Sequence, residues 1–222
     1  MNSLLATLLS GSGTQFEYTY SIAAETGMVE QADVDWNATD WQRNTGGFRL
    51  GYQLTSNVDL LTSVHWGQQN SGYNDYYYDY EETEESSNQS GYDVTVSETL
   101  MHIGPKFSWN LKPWFAPYAT VQGMLVHNRL QMSDDGLFDE DSTTLVDATA
   151  VGVGATGALG LEFRTRPIGS NMQLFAYGEG GSTGATALQF SLKGAGADEG
   201  DVNIGDLGYG GTYFRFGVGT KF

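Results

Sequence analysis

The stretch ATAVGVGATGALGLEFR, residues 148–164, carries the clearest structural signal in the chain. Apolar side chains stand at every second position, at Val151, Val153, Ala155, Leu159, Leu161 and Phe163. The positions between them hold small or polar residues, namely Gly152, Gly154, Thr156, Ala158, Gly160 and Glu162. Successive side chains of a strand point to opposite faces of a sheet, so this alternation predicts a β-strand with one apolar face.

The same period of two recurs along the rest of the chain and predicts a single all-β domain. We place eight strands at residues 16–25, 46–54, 58–67, 94–109, 114–128, 148–164, 172–181 and 209–222. In the fifth and seventh strands the pattern leaves open which face is apolar. Residues 1–14 lack this periodicity and begin with an apolar run. We therefore expect a leader or signal-peptide remnant over 1–14 and a barrel domain over 15–222.

The composition excludes several other classes of protein. The 222 residues include no cysteine, which excludes disulfides and thiolate metal sites. The formal net charge of −17 argues against a nucleic-acid partner. The longest apolar run, residues 4–9, is far shorter than the roughly 20 residues of a membrane helix. A mean hydropathy of −0.33 still permits a membrane barrel, because alternating strands hide their apolar half from such an average.

The connections between the predicted strands alternate in length. Short turns follow the second, fourth and sixth strands, at residues 55–57, 110–113 and 166–171, and long segments follow the others. Most of the 27 acidic residues lie in the long segments. Short periplasmic turns and long extracellular loops are the pattern of bacterial outer-membrane barrels. The sequence therefore predicts an eight-stranded antiparallel up-and-down transmembrane β-barrel in the outer membrane, with both termini periplasmic.

The C-terminal stretch TYFRFGVGTKF, residues 212–222, places apolar side chains in one register, at Phe214, Phe216, Val218 and Phe222. This stretch resembles the assembly signal of outer-membrane barrels. Together with the strand count, it makes the chain similar to the small outer-membrane β-barrel superfamily of the OmpA transmembrane domain, OmpW and OmpX. The resemblance implies a monomer whose partners are outer-membrane lipid, lipopolysaccharide and the barrel assembly machinery. It also permits envelope stabilisation, adhesion through the loops, narrow conduction or passage of small hydrophobic molecules.

The polar faces of the strands would line the lumen of such a barrel. They carry two histidines, His65 and His102, and seven charged residues: Glu17, Arg49, Glu98, Lys106, Glu162, Arg164 and Arg215. Buried charges must be paired or hydrated, so we expect an ion-pair network that plugs the lumen. The alternative is a gated water path beside the small residues Gly152, Gly154, Thr156 and Gly160.

A catalytic site finds little support in the sequence. Some lipid-modifying barrel enzymes use a histidine with an acid and a serine, and Ser97, Glu98 and His102 supply those residue types. Neighbouring residues of a strand point to opposite faces, however, so Ser97 and Glu98 cannot share a site. The acidic segments also lack the ligand spacing of a calcium loop. We predict no enzyme activity, no cofactor and no metal site.

The run YNDYYYDYEE, residues 73–82, is the most unusual stretch of the chain. Mutual repulsion of its carboxylates predicts a solvated loop. Its tyrosines could instead form a contact surface, because tyrosine offers a large amphipathic area at low entropy cost. The candidate contact residues are Tyr73, Tyr76, Tyr77, Tyr78 and Tyr80.

Three functions remain open on the sequence. The first is a structural and surface-interaction role through long acidic extracellular loops, with a surface partner bound there. The second is a narrow channel or conduit for small solutes or hydrophobic molecules, and the third is a lipid-modifying barrel enzyme. Apolar side chains lining one end of the lumen would favour a conduit, but the predicted lumen is polar.

Overall fold

The computed structural model describes most of the predicted barrel domain. The described residues are 14–25, 29–30, 41–76, 89–134, 144–168, 172–186, 188–192, 206–207 and 210–222. The predicted leader lies outside them except for Thr14, which begins the first strand. Within the described residues, no helix has the length and apolarity needed to cross a membrane.

Eight long strands form a closed antiparallel barrel, as the sequence predicts. They are β1 Thr14–Glu25, β2 Trp41–Thr55, β3 Val58–Tyr76, β4 Gln89–Ser108, β5 Phe115–Asp134, β6 Thr144–Arg164, β7 Gln173–Ala185 and β8 Gly210–Lys221. Each strand pairs with its neighbours in chain order. The β1–β8 ladder, from Gln15↔Lys221 to Glu25↔Gly211, closes the sheet on itself.

The segment after β7 folds back at the long-connection end of the barrel. Ser191–Leu192 pairs with β6, and Leu188–Gln189 pairs with Asp206–Leu207. Asp206–Leu207 also pairs with Val29–Glu30, which makes a small three-stranded sheet. This end of the barrel therefore carries structure of its own beyond the barrel wall.

Strands β3 to β6 are taller than the rest of the barrel. The β2–β3 ladder ends at Gly46↔Trp66, whereas the β3–β4 ladder continues to Tyr76↔Gln89. The extra length is about ten residues, or roughly 30 Å of strand. We call this part, residues 67–76 and 89–98 with the ends of β5 and β6 beside them, the tall sheet.

The strand limits predicted at this end of the barrel were too short. The structure extends β3 from residue 67 to Tyr76 and begins β4 at Gln89 instead of residue 94. Strands β2, β5 and β6 also run several residues further than predicted. Outside lipid a strand needs paired backbone groups but no apolar face, so the period-two signal is lost there while the ladder continues.

The outer surface of the barrel exposes many large apolar side chains, and exposing them to water would be unfavourable. Leu159 is 71% exposed and its neighbours Val151 and Val153 are exposed as well, whereas Thr156 and Glu162 between them are buried. Along β5 the outward positions from Phe115 to Leu125 span about 25 Å of membrane at a typical strand tilt. The predicted apolar faces therefore form a continuous belt that matches the hydrocarbon layer.

Several aromatic side chains are exposed on the outer surface that carries this belt. They include Tyr18, Trp66, Trp109, Phe163 and Phe216. Phe222 is half-buried, and the side chain of Tyr20 lies outside the described residues. Amphipathic rings at both membrane–water boundaries are the arrangement of a transmembrane barrel.

The belt predicts different responses to two substitutions at one outward-facing residue of β6. Ala155 faces outward near mid-belt, so Ala155→Arg should lower the free energy of unfolding by about 2–4 kcal/mol, the cost of a cation against lipid. Ala155→Leu, which keeps the position apolar, should have little effect. Urea titration of both variants in lipid vesicles measures the difference. Equal stability of the two variants would contradict the outward placement of Ala155.

Candidate functional site

The lumen contains a buried ionic cluster centred on Glu179. Arg49 donates to Glu17 through Nε and to Glu179 through Nη1, the latter at 3.2 Å. Arg215 Nη1 donates to the other Glu179 oxygen at 2.9 Å, and the hydroxyl of Tyr118 donates to Glu179 at 2.9 Å. The two arginines and two glutamates balance in charge, and all four side chains are at most 3% exposed. We call these four side chains and Tyr118 the Glu179 cluster.

A second cluster, the Glu162 cluster, lies nearer the short turns. Lys106 Nζ and Arg164 Nε each donate to one oxygen of Glu162. Arg164 Nη1 also donates to Asn110 Oδ1 at 2.7 Å, which ties the cluster to the turn between β4 and β5. Lys106 and Glu162 are buried, and the Arg164 side chain is 13% exposed.

Aromatic rings fill the space between the two clusters. The guanidinium of Arg49 lies 4.2 Å from the ring centre of Tyr177, and Lys106 Nζ lies 4.6 Å from that of Tyr118. The two tyrosine rings meet edge to face at 6.4 Å. Cation–π contacts of this kind gain strength when they are desolvated. The charges and rings together form a packed plug.

Glycines on neighbouring strands make room for these rings. A Cβ at Gly217 would come within 2.6 Å of Tyr177, and one at Gly219 within 2.6 Å of Phe175. A Cβ at Gly160 would overlap Tyr118 in the same way. The sequence offered Gly160 as part of a water path, but an aromatic ring occupies that space. This contact supports a filled lumen at the short-turn end, as expected for eight strands.

Six of the seven predicted lumen charges belong to the two clusters: Glu17, Arg49, Lys106, Glu162, Arg164 and Arg215. Glu98 is buried too, but it stands opposite Gly67 and Asn128, outside both clusters. The prediction missed Glu179 and its partner Tyr118. On β7 the aromatic residues Phe175 and Tyr177 point inward, so the usual rule that the greasier face meets lipid misleads there. Glu179 lies on the same face of β7 as Phe175 and Tyr177, and a charged residue on that face could have indicated that it points to the lumen.

Toward the long-connection end, apolar side chains line much of the lumen wall, interrupted by the buried polar pair Glu98 and Asn128. Cross-strand rows place Val96 beside Leu130 and Leu100 beside Val126. This apolar layer consists of the buried side chains Val96, Leu100, Met124, Val126, Leu130, Ala148, Ala150 and Leu188. The sequence predicted a polar lumen, and this layer shows that part of the lumen wall is apolar. It escaped notice because β5 gave no clear assignment of faces.

Leu188 enters this layer from the segment after β7. It is completely buried, and its Cδ2 would be only 2.6 Å from a Cβ on Gly152. Thr186 anchors the segment to β6, since its backbone N–H donates to the carbonyl of Val153 at 2.9 Å. The space that Gly152 leaves, which the alternative prediction of a water path would fill with water, is therefore occupied by Leu188.

The histidines lie on three different strands of the barrel, with two side chains in the lumen and one on the outer surface. His102 Nδ1 lies 3.3 Å from Ser63 Oγ, and both side chains are buried in the lumen. Ser97 is on the opposite face of β4 from Glu98, as predicted. His65 is buried too, with Nε2 2.6 Å from Thr19 Oγ1, whereas His127 is exposed on β5. Among the described residues, no group of three or more potential metal ligands comes together.

Two of the predicted loop tyrosines lie on a strand. Tyr73 and Tyr76 belong to β3 and pair with Tyr92 and Gln89 of β4. Tyr77, Tyr78 and Tyr80 lie outside the described residues. The expectation of a loop is therefore wrong for the first two, because backbone pairing to β4 holds this segment as a strand.

The residues of the predicted assembly signal sit on the last strand. Phe214, Phe216 and Val218 are exposed on the lipid face of β8. The backbone N–H of Phe222 donates to the carbonyl of Thr14 at 2.9 Å, next to the β1–β8 seam. The geometry suits a lipid-facing closing strand, and recognition by an assembly machinery remains a prediction.

A closed barrel that is apolar outside and ionic inside is a transmembrane β-barrel, because only this inversion places charges away from lipid. Eight strands make it one of the small barrels, whose interior side chains can fill. The predicted resemblance to small outer-membrane β-barrels is thereby confirmed at the level of the fold.

Solved structures of this kind are similar to the chain at low sequence identity. Ail, the attachment invasion locus protein of Yersinia pestis, matches 96% of this chain and 100% of its own, with 13% identity and a TM-score of 0.45. A major outer membrane protein from Thermus thermophilus matches 94% and 99%, with 12% identity and a TM-score of 0.42. The N-terminal β-barrel domain of Pseudomonas aeruginosa OprF matches 96% and 100%, with 14% identity and a TM-score of 0.38. No family model and no curated protein matches the chain.

The Glu179 cluster predicts strong coupling between two buried charges. Glu179→Gln or Arg215→Gln alone leaves one net charge in the cluster, and each should lower the free energy of unfolding by about 3–5 kcal/mol. The double variant restores the balance, so its cost should fall short of the sum by about 1–3 kcal/mol. Urea unfolding in lipid vesicles measures the cycle.

The exposed pair Arg129–Asp147 serves as the matched control. It has two hydrogen bonds of 2.8 and 2.7 Å, but its side chains are 49% and 36% exposed. Arg129→Gln and Asp147→Asn should each cost less than about 1 kcal/mol. Additive effects at Glu179 and Arg215, or effects as small as those of the control, would show that the cluster does not hold the plug together.

Proposed function

We propose that the protein is an outer-membrane barrel with a structural and surface-interaction role, which it performs through the tall sheet and the acidic connections at the same end. The observation that carries this proposal is the β3–β4 ladder, which continues from Gly67 to Tyr76 beyond the belt. Spanning the membrane requires no such extension. Its polar strand residues suit contact with water-soluble partners rather than lipid.

The orientation follows from the asymmetry of the connections. Three short turns lie at one end and the tall sheet at the other. In bacterial barrels the short turns face the periplasm. The N- and C-termini are then periplasmic, and the tall sheet faces the medium. The lipid belt contacts phospholipid on one side of the membrane and lipopolysaccharide on the other, with the barrel as a monomer.

The plug in the short-turn half supports a structural role over conduction. The Glu179 and Glu162 clusters cross the lumen, with rings packed against them. A solute would have to separate buried charge pairs, and leaving either charge unpaired is costly. The residues suggested for catalysis do not share a site, which favours a non-enzymatic role. We propose no metal or cofactor for this barrel.

Trimming the tall sheet tests the proposed role. Residues 70–95 are replaced by Asn-Gly, which leaves Gln69 paired with Val96 as the new end of the hairpin. The barrel should fold normally, as judged by a heat-dependent shift in gel mobility. Cells displaying the trimmed barrel should adhere to protein- and polysaccharide-coated surfaces no better than cells without the protein, whereas the intact barrel should raise adhesion severalfold.

The control for the trimmed barrel is Leu111→Ala, a change at an exposed residue of a short turn at the opposite end. That variant should adhere like the intact protein. If the trimmed and intact barrels support equal adhesion, the tall sheet is not a contact surface and this proposal fails.

The apolar layer favours binding of small hydrophobic molecules as a second candidate function. Leu188 closes the layer from a segment outside the barrel ladder, so its displacement would open apolar space beside Leu100 and Val126. Apolar space accepts apolar guests, here next to the buried polar pair Glu98 and Asn128. The plug beneath would make such a site a closed pocket rather than a through-channel.

Nuclear magnetic resonance of methyl groups tests the second candidate with toluene as the probe. If Leu188 yields to a guest, the Leu100 and Val126 methyl signals should shift in a saturable manner, and Leu188→Ala should strengthen binding severalfold. Val153, on the lipid face, is the control and should shift without saturation. Unsaturable shifts at Leu100 and Val126 in both proteins would exclude this candidate.

A further inference from the structure

Among the described residues of the short-turn end, the exposed charged side chains are all basic. Lys112 and Arg166 are exposed on the turns after β4 and β6. The side chains of Arg164 and Lys221 are 13% and 19% exposed at the same end. We call these four residues the basic rim. It stands out in a chain whose formal net charge is −17.

The carboxylates near the basic rim are buried and paired. Glu162 is 2% exposed and accepts from Lys106 and Arg164. Asp59 is 7% exposed, with Oδ1 3.9 Å from Lys221 Nζ. These acids neutralise inward-pointing cations, but they leave Lys112 and Arg166 facing outward. The exposed charge of this end is therefore available to an external anion.

Hydrogen bonds between the turns hold the backbone around the basic rim in a defined conformation. Asn110 Nδ2 donates to the carbonyl of Ser56 at 3.1 Å, and Asn110 Oδ1 accepts from Arg164. The backbone N–H of Arg164 donates to the carbonyl of Trp114 at 2.9 Å. Asn110 thus connects the turn after β2, the turn after β4 and the end of β6, and these segments carry Lys112 and Arg164 of the basic rim.

Two indoles set the depth of the basic rim in the membrane. Trp109 and Trp114 are both about half exposed, and Lys112 Nζ lies 5.3 Å from the ring centre of Trp114. Tryptophan prefers the level of the lipid headgroups. A lysine held beside such an indole lies where the phosphates of the leaflet are.

An apolar groove reaches the same level on the lipid-facing wall. It has a volume of about 630 Å³, and its lining includes Phe16, Phe163, Leu174, Ala176 and Val218. At the short-turn end it stops at Thr165, and the exposed Arg166 follows directly. An apolar groove ending beside a cation has the polarity of a phospholipid, whose acyl chain continues into a phosphate.

We propose that the basic rim binds the headgroups of anionic phospholipids in the adjoining leaflet, and that the groove receives an acyl chain of the lipid whose phosphate contacts Arg166. Planar guanidinium and compact ammonium groups both pair well with phosphate oxygens. The site goes beyond the proposed function, since it lies at the opposite end of the barrel from the tall sheet and depends only on the barrel spanning a membrane.

Tryptophan quenching by brominated lipids tests the proposal in reconstituted vesicles. Brominated phosphatidylglycerol should quench the fluorescence of the intact protein severalfold more effectively than brominated phosphatidylcholine at equal mole fraction. In the double variant Lys112→Gln/Arg166→Gln, the ratio of quenching by the glycerol lipid to quenching by the choline lipid should fall close to one. Ala176→Phe, which fills the groove, should lower this quenching ratio about twofold. Salt at 1 M, with a Debye length of about 3 Å, should also reduce it.

Arg129→Gln, which removes an exposed cation at the other edge of the belt, should leave the preference unchanged. A heat-dependent gel shift confirms that each variant is folded. Equal quenching of the intact protein by the two lipids would overturn the proposal, as would a preference that survives in the double variant. If isolated peptidoglycan instead retains the protein through the same two cations without any lipid preference, the partner is the cell wall and the proposal also fails.

Discussion

Closure of the sheet between β1 and β8 is the constraint on which the rest of the structure depends. Hydrocarbon offers no hydrogen bonds, so each backbone N–H and C=O within the membrane needs a partner in the protein. The ladder from Gln15↔Lys221 to Glu25↔Gly211 supplies those partners at the one place where an open sheet would have two free edges. Closure also determines where the side chains lie, because every strand of a closed barrel has one face toward lipid and the other toward a narrow lumen.

Different kinds of side chain fill the lumen at its two ends. Near the short turns, charges and rings fill it, with Glu179 joining Arg49, Arg215 and Tyr118. Near the tall sheet, apolar side chains including Leu188 fill most of it, together with the buried Glu98 and Asn128. Burying balanced charge is costly without complete pairing, so the ionic half depends on geometry, whereas the apolar half tolerates rearrangement more easily. A guest is therefore easier to accommodate above the plug than through it.

The sequence predicts the wall of the barrel better than its contents. On β6 lipid outside and a tight lumen inside act together, so the alternation from Val151 to Phe163 assigned both faces correctly. On β7 the inward rings Phe175 and Tyr177 reverse that rule, which hid Glu179. Tyr73 and Tyr76 gave no strand signal, because the part of β3 beyond the belt has no apolar face to maintain. The position of Leu188 follows from folding of a distant segment, which local periodicity does not encode.

The most direct test of the central claim, that alternate residues face lipid and a filled lumen, is single-cysteine scanning of β6. The chain has no native cysteine, so each variant carries one thiol. In vesicles, spin labels at residues 151, 153, 159 and 161 should show high accessibility to oxygen dissolved in lipid. Labels at the alternating positions 150, 156 and 158 should show low accessibility to oxygen and to a water-soluble relaxant. The reverse alternation, or none at all, would contradict the transmembrane barrel.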